Sequence, residues 1–201
     1  MAHRKPTSLI GSIGLLALGV LATACATAAV EAPTVVWQDG APSGELEDSP
    51  WVQAVRASDL ALNTAWVTRD YTAKELESST QALVPEQVYN AQVGRAGREE
   101  FTTLPGPTPM IPLSVDEESD TQAVVRVCEA TNWQISADQP DIPTELVGEI
   151  KEYRVVGTDD RRASGPAPTG EECDLDGVSI GLFDPQPDPT ETYSPDDVKS
   201  P

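Results

Sequence analysis

Residues 9–24 form an uncharged run rich in Leu, Ile, Ala and Gly, and Arg4 and Lys5 precede it. A positive segment, then an apolar segment of about fifteen residues, then small residues is the pattern of a secretory signal peptide. The run is too short to span a bilayer core of about 30 Å as a stable helix. We therefore expect residues 1–24 to be a signal peptide that does not belong to the folded mature protein.

The end of this leader reads Leu21-Ala22-Thr23-Ala24-Cys25. It resembles the lipobox of bacterial lipoproteins, in which small residues precede an invariant cysteine, although Ala22 stands where Leu is commonest. The resemblance implies cleavage between Ala24 and Cys25 and a thioether bond from Cys25 to diacylglycerol. The alternative is an ordinary signal peptide cleaved after Ala24, which would leave Cys25 as a free thiol.

The chain contains three cysteines, an odd number for an exported protein. If Cys25 carries lipid, Cys128 and Cys173 remain as a pair that an oxidising compartment would join. Two separately buried thiols are the alternative. Neither cysteine belongs to a Cys-x-x-Cys motif, so the sequence gives no support to a redox-active or zinc-binding role.

Acidic residues dominate the charge of the chain, with 33 Asp and Glu against 13 Lys and Arg and a formal net charge of −20. Lys and Arg contacts to phosphates drive nucleic-acid binding, so we expect no DNA or RNA partner. The single histidine, His3, lies in the leader. The mature chain therefore lacks the commonest general acid–base residue and zinc ligand, and we predict no cofactor and no metal.

The mature chain divides into three parts by composition. Residues 25–49 are rich in Ala, Pro, Gly, Ser and acids with little periodicity, which predicts a flexible tether. Residues 184–201 are acidic and proline-rich, which predicts a disordered tail. Residues 50–183 contain branched apolar residues and three tryptophans, enough for a small globular domain helped by a disulfide.

The first half of this domain has helical signals. Ser49 is a candidate N-cap and Pro50 suits the first helical position, so we predict a helix from 50 to about 69. Four apolar residues share one of its faces: Trp51, Val55, Leu62 and Trp66. Thr72 and Glu75 have the spacing of a capping box that begins a second short helix, and Pro85 opens a third helical turn.

The second half of the domain has strand signals. Prolines between residues 105 and 112 disfavour helix and predict an extended edge segment. Residues 121–133, 148–158 and 175–183 are rich in branched residues or alternate in polarity, as strands do. Helices followed by strands predict an α+β domain with a mainly antiparallel sheet backed by the long helix.

Three segments, residues 51–61, 105–113 and 181–187, resemble uncharacterised lipoproteins of actinobacterial cell envelopes. That resemblance implies a protein anchored through Cys25 on the outer face of the cytoplasmic membrane. A helix pair followed by a curved antiparallel sheet is also similar to the cone-shaped nuclear-transport-factor-2-like fold, which in exported actinobacterial proteins often serves as a non-catalytic module. The chain departs from it by a proline-rich interruption where an early strand belongs.

Two sequence patterns resemble functional motifs, one of a serine hydrolase and one of a calcium site, but each lacks a feature that its chemistry requires. Residues 177–181 match the G-x-S-x-G motif of serine hydrolases, but that motif needs a strand–turn–helix context and a histidine, so we interpret the match as accidental. Acidic clusters at 116–120, 159–160 and 171–176 lack the spacing of a calcium loop, and we expect solvated loops there.

A third pattern concerns proton transfer. Within a cone-shaped pocket, a buried acid beside a tyrosine can abstract a proton from a carbon acid. The candidates nearest the long helix are Asp59, Asp70 and Tyr71, and we expect all three to be exposed to solvent. The sequence thus predicts a non-catalytic binding or scaffolding module with an unknown protein or small-molecule ligand. The alternative is a small isomerase or hydrolase that uses carboxylates.

Overall fold

The computed structural model describes residues 31–98 and 102–201, and the predicted signal peptide and Cys25 lie outside them. The described residues form three α-helices: α1 Pro50–Thr68, α2 Lys74–Ser79 and α3 Val84–Val93. They form nine strands: β1 Thr34–Trp37, β2 Thr102–Thr103, β3 Met110–Ser119, β4 Gln122–Ala130, β5 Ile135–Ser136, β6 Gly148–Val156, β7 Arg162–Ala163, β8 Ala167–Cys173 and β9 Gly181–Asp184. Helices precede most of the strands and the pairing is antiparallel, which confirms the predicted α+β class.

Helix α1 begins and ends close to where the sequence predicts. The side chain of Ser49 accepts a hydrogen bond from the backbone N–H of Trp51, and Pro50 occupies the first turn. The helix stops at Arg69, which adopts a left-handed conformation with φ 57°. One face of α1 is buried, and that burial fixes the helix on the sheet.

The start of α2 differs from the prediction. Thr72 does not form a capping box with Glu75, because its backbone N–H and its hydroxyl both donate to the carboxylate of Asp70. Ala73 occupies the N-cap position without a side-chain hydrogen bond. The third helix is longer than the single turn predicted from Pro85.

The main sheet has five antiparallel strands, ordered β3-β4-β6-β7, with β8 also paired to β6. In the central pair, Val125 of β4 faces Tyr153 of β6. The face toward α1 is apolar and carries Ala123, Val125, Val127 and Val155, which pack with Trp51, Val52 and Val55 of the helix. This layer is the principal core.

The opposite face of the sheet carries the disulfide. Cys128 of β4 is bonded to Cys173 at the end of β8, so the predicted pair is present. Trp133 and Leu175 pack around it in a second apolar cluster. The first residue of β6, Gly148, lies between the two cysteines, and a Cβ there would be 2.4 Å from the carbonyl oxygen of Cys173.

The acidic clusters are only partly loops. The edge strand β3 begins in the proline-rich segment, as predicted, but continues through residues 116–119, which the sequence assigned to a loop. Strand β8 includes residues 171–173 of another cluster. The prediction of solvated loops is wrong for these segments because their backbones pair with β4 and β6, while their acidic side chains remain exposed.

The predicted tether includes an ordered strand. Residues 34–37 form β1, which pairs antiparallel with β9 from Thr34 opposite Asp184 to Trp37 opposite Gly181. The boundary between tether and domain, predicted at residue 50, therefore lies before residue 34. The signal for β1 was the short run Val35-Val36-Trp37, whose pairing partner is about 145 positions away.

The predicted disordered tail is packed on the helices, and this prediction is wrong. Tyr193 and Val198 are buried in a cluster with Ala61 and Leu76, and a short 3₁₀ helix spans Pro195–Asp197. The backbone N–H of Lys199 donates to the carbonyl oxygen of Arg69. The side chains of Tyr193 and Val198 are thus buried against α1 and α2, and the acidic composition of the segment does not reveal this packing.

Candidate functional site

A groove of about 790 Å³ runs along α1 on the side away from the sheet. Its floor consists of residues spaced three and four apart on one helical face: Ala57, Leu60, Ala61, Thr64, Ala65 and Thr68. Most of these side chains are small, so they leave space for the groove above the helix. Leu60, the large apolar side chain of this floor, is 38% exposed and is therefore accessible to a ligand.

The walls of the groove come from two other parts of the chain. Residues 32–35, at the start of the described chain and in β1, form one wall. Ala73, Glu75 and Ser78 of the α2 region form the other. The groove is therefore apolar along its floor and polar along one end.

The polar end is partly neutralised. The ammonium of Lys199 donates to Asp70 at 2.6 Å, so the acidic tail supplies a cation to the groove's rim. Partial burial would raise the pKa of Asp70, but the hydrogen bonds from Lys199 and Thr72 outweigh it and hold that pKa below its usual value. Asp70 is therefore ionised and paired at neutral pH.

Asp70 and Tyr71 do not form an acid–phenol pair for proton transfer. Tyr71 is 2% exposed, which contradicts the expected solvent exposure, and its ring packs edge-on against Tyr89 with centroids 5.8 Å apart. Burial raises the pKa of the Tyr71 hydroxyl. Tyr71 is a core residue of the α1–α2 contact.

A second polar cluster lies between α1 and the proline-rich segment. Asp59 accepts hydrogen bonds from the backbone N–H of Thr108 at 2.9 Å and from the amide of Asn63 at 3.2 Å. Asn63 also donates to the Thr108 hydroxyl, and the indole of Trp133 donates to the carbonyl oxygen of Gly106. Asp59 therefore holds the residue 105–109 loop against the helix, and its predicted exposure is wrong.

Glu129 continues the helix-facing side of β4, two residues beyond Val127. Its carboxylate accepts a hydrogen bond from the hydroxyl of Tyr153. Burial, reinforced by the negative charge of Asp59, raises the pKa of Glu129 to about 7 against the opposing hydrogen bond from Tyr153. The charge of Glu129 lies at the end of an otherwise apolar face.

Asp59 and Glu129 are thus two buried acids with raised pKa values, and the charge of Asp59 contributes to the shift of Glu129. Burial raises the pKa of Asp59 to about 6, although Thr108 and Arg56 act in the opposite direction. Carboxyl groups whose pKa values lie near neutral pH are candidates for proton transfer to a bound molecule. The sequence missed Glu129 and Tyr153, and the signal that could have found Glu129 was its in-phase position after Val125 and Val127.

A separate pocket is lined by Arg56, whose guanidinium forms an ion pair with Glu47. Arg56 donates to Glu47 through Nε at 2.9 Å and to the carbonyl oxygen of Met110 through Nη2 at 3.0 Å. These three residues line a pocket of about 450 Å³ that includes neither Asp59 nor Glu129 in its lining.

The G-x-S-x-G segment leads into strand β9, and no α-helix follows it in the described part of the chain. Gly181 has a packing role, since a Cβ there would be 2.9 Å from Val35 Cγ1 and from the ring of Trp37. Ser179 lies in the loop before β9. The motif therefore lacks the strand–turn–helix context that a hydrolase nucleophile needs.

Cys25, the predicted lipidation site, lies outside the described residues. Within residues 31–98 and 102–201, no helix has the length and apolarity that a membrane crossing requires. Comparison with known proteins finds no matching family model, no matching curated protein and no matching solved structure. The resemblances to actinobacterial envelope lipoproteins and to the cone-shaped fold therefore stay predictions.

Proposed function

We propose that this protein is a membrane-anchored extracytoplasmic lipoprotein that acts as a non-catalytic binding or scaffolding module, with the α1 groove as its binding surface. The groove carries the proposal. Its volume of about 790 Å³ falls in the range of about 300–1,000 Å³ that ligand sites occupy, and its apolar floor with a few polar groups at one end is typical of them.

The cysteines support the location. The chain has three cysteines, and two of them form the Cys128–Cys173 disulfide. A structural disulfide fits an oxidising compartment, and it leaves Cys25 as the odd cysteine at the end of the leader. Two or three acyl chains at Cys25 would hold the acidic domain at the membrane despite its repulsion from anionic lipids.

Cell fractionation tests the anchor. We expect the wild-type protein in the membrane fraction, carrying label from a metabolically supplied palmitate analogue. Cys25→Ala removes the acceptor, so the label should be lost and the protein released into the medium. Thr27→Ala, two residues further on, is the matched control and should behave as wild type. An unlabelled wild-type protein, or a Cys25→Ala variant that keeps the label, contradicts the anchor.

A second function is supported by the acid pair. Burial raises the pKa of Asp59 to about 6 and that of Glu129 to about 7, and raised carboxyl pKa values are what an isomerase or hydrolase that uses carboxylates requires. The Tyr153 hydroxyl donates a hydrogen bond to Glu129. Proton exchange of enolisable ketones into D₂O and hydrolysis of simple esters test this function. Turnover that both Asp59→Asn and Glu129→Gln abolish supports this function, and the lack of turnover by the wild type excludes it for those substrates.

A further inference from the structure

The shape of the α1 groove restricts the ligand. Its floor extends from Ala57 to Thr68, which at the rise of an α-helix is about 16 Å. The side chains along it are small or hydroxylated, apart from Leu60, and no aromatic ring is among its described lining residues. A groove about 16 Å long, with a mainly apolar floor and without aromatic rings in its described lining, fits an unbranched hydrocarbon chain better than a flat ring system.

The charges at the rim restrict the polar end of the ligand. Asp70 and Glu75 lie at the end of the groove where α1 passes to α2, and Lys199 is engaged by Asp70. The hydroxyls of Thr68 and Ser78 donate to the carbonyl oxygens of Thr64 and Glu75, so towards a ligand they present acceptor oxygens. An anionic head group would meet carboxylates there, whereas an uncharged or cationic head group would find hydrogen-bond partners.

The groove lies close along the chain to the predicted lipidation site, which indicates the membrane as the source of the ligand. Its wall includes Ala32, seven residues after Cys25. Seven residues span at most about 25 Å. On the proposed function, in which Cys25 carries the lipid anchor, the wall of the groove at Ala32 is held within this distance of the membrane surface.

We propose that the α1 groove binds one acyl chain of a membrane lipid whose head group is uncharged or cationic. The chain lies along the Ala57–Thr68 floor and the head group lies at the Asp70–Glu75 end. This inference rests on the proposed function for the source of the lipid, while the class of ligand rests on the groove itself.

The test uses the full chain with Cys25→Ala, which carries no lipid of its own, and titrates it with alkyl probes below their critical micelle concentrations. Dodecyl maltoside should bind saturably with one molecule per chain, as measured by calorimetry. Dodecyl sulfate, with the same chain and an anionic head, should bind at least about tenfold more weakly at that site. Equal affinity for the two probes overturns the head-group part of the proposal.

A matched pair of variants assigns the site. Leu60→Asp puts a charge on the groove floor and should weaken dodecyl maltoside binding by about tenfold or more. Leu113→Asp changes a leucine of similar exposure, 43% against 38%, on the edge strand β3 and should leave binding unchanged. Ala57→Trp fills the groove and provides a second loss of binding, with circular dichroism confirming that each variant is folded.

The outcomes separate the groove from the anchor. The proposed hydrocarbon site is contradicted if dodecyl maltoside does not bind saturably. It is also contradicted if the Leu60→Asp variant binds dodecyl maltoside as tightly as the protein without that substitution. The wild-type protein could be found unlabelled by the palmitate analogue while its groove still binds dodecyl maltoside. That result would contradict the lipid anchor and the membrane as the source of the ligand, but not the hydrocarbon site itself. If the anchor holds and the probe does not bind, only the groove inference fails.

Discussion

The phenolic hydroxyl of Tyr153 donates a hydrogen bond to the carboxylate of Glu129 on the face of the sheet that α1 covers. Tyr153 is opposite Val125 in the strand register, so its ring extends along the sheet to reach Glu129 four residues further on β4. The negative charges of Asp59 and Glu129 reinforce burial in raising the pKa of Tyr153 well above its usual value. The hydroxyl therefore remains a donor at all physiological pH values.

We expect the folded protein to be more stable at pH 5 than at pH 8. The pKa values of Asp59 and Glu129 are raised in the folded state, to about 6 and about 7, so the folded protein binds protons more tightly than the unfolded chain. Stability from these groups is present at low pH and is lost as the pH rises through 6 and 7. Each group should contribute about 1–3 kcal/mol to the difference.

Urea unfolding of the wild type, Asp59→Asn and Glu129→Gln between pH 5 and pH 8 measures this effect. Each variant should flatten the pH dependence, because an amide does not titrate. Asp188→Asn is the control, since Asp188 is exposed and its pKa is lowered by Thr190. The prediction is contradicted if the unfolding free energy of the wild type does not change over this range, or if it changes as much in both buried-site variants as in the wild type.

Tyr153→Phe should destabilise the protein at pH 8 by about 1–3 kcal/mol, because Glu129 then carries a partly buried charge without the hydroxyl donor. The loss should shrink at pH 5, where Glu129 is protonated. Tyr89→Phe makes the same chemical change at a partly buried ring of α3 and should cost less. Chemical denaturation at both pH values compares the two variants, and a pH-independent loss in Tyr153→Phe would contradict the pairing.

Gly106→Ala should destabilise the fold through a clash. A Cβ at residue 106 would be 2.1 Å from the carbonyl oxygen of Gly181, a backbone atom held in the β1–β9 pair. We expect a loss of about 1–3 kcal/mol, as in other overpacked positions. At Gly165 an added Cβ meets no atom within 4 Å, so Gly165→Ala is the matched control. Equal melting temperatures for the two variants would refute the close approach.

Tyr193→Ala should show that the C-terminal segment is part of the fold. Tyr193 is 6% exposed and its hydroxyl donates to the carbonyl oxygen of Gln92. Truncation should cost about 3 kcal/mol, the usual scale for a buried aromatic ring, and should increase trypsin cleavage at Lys199. The neighbouring Thr192 is exposed, so Thr192→Ala should change neither measurement. Cleavage at Lys199 that is as fast in the wild type as in an unfolded peptide would contradict this packing.

Local signals made α1, β4 and β6 predictable, because their caps and periodicities are contained within each segment. The disulfide could be predicted from the cysteine count once Cys25 was set aside. The two chain ends could not, because β1 and Tyr193 are ordered by partners far away in sequence, and composition measures only what a segment contains. For the same reason Asp59 was expected to be exposed, since its partner Thr108 lies 49 residues further along the chain.

The site residues divide in the same way. Cys25 was predicted from its own neighbours in sequence, whereas Glu129 and Tyr153 become a pair only through the register of β4 with β6. The groove is also invisible in the sequence, because its walls come from residues 32–35 and from α2, and only the fold brings them to the floor on α1.

On the proposed function, in which Cys25 carries a lipid anchor, the pairing of β1 with β9 has a mechanical consequence. Tension from the membrane enters the fold at Thr34, whose partner is Asp184, and reaches Trp37 only after the earlier pairs have parted. Four residue pairs therefore stand between a pull on the tether and the sheet that contains the core. Because α1 follows β1 along the chain, such a pull would load the four β1–β9 pairs before it loads the helix that covers the core.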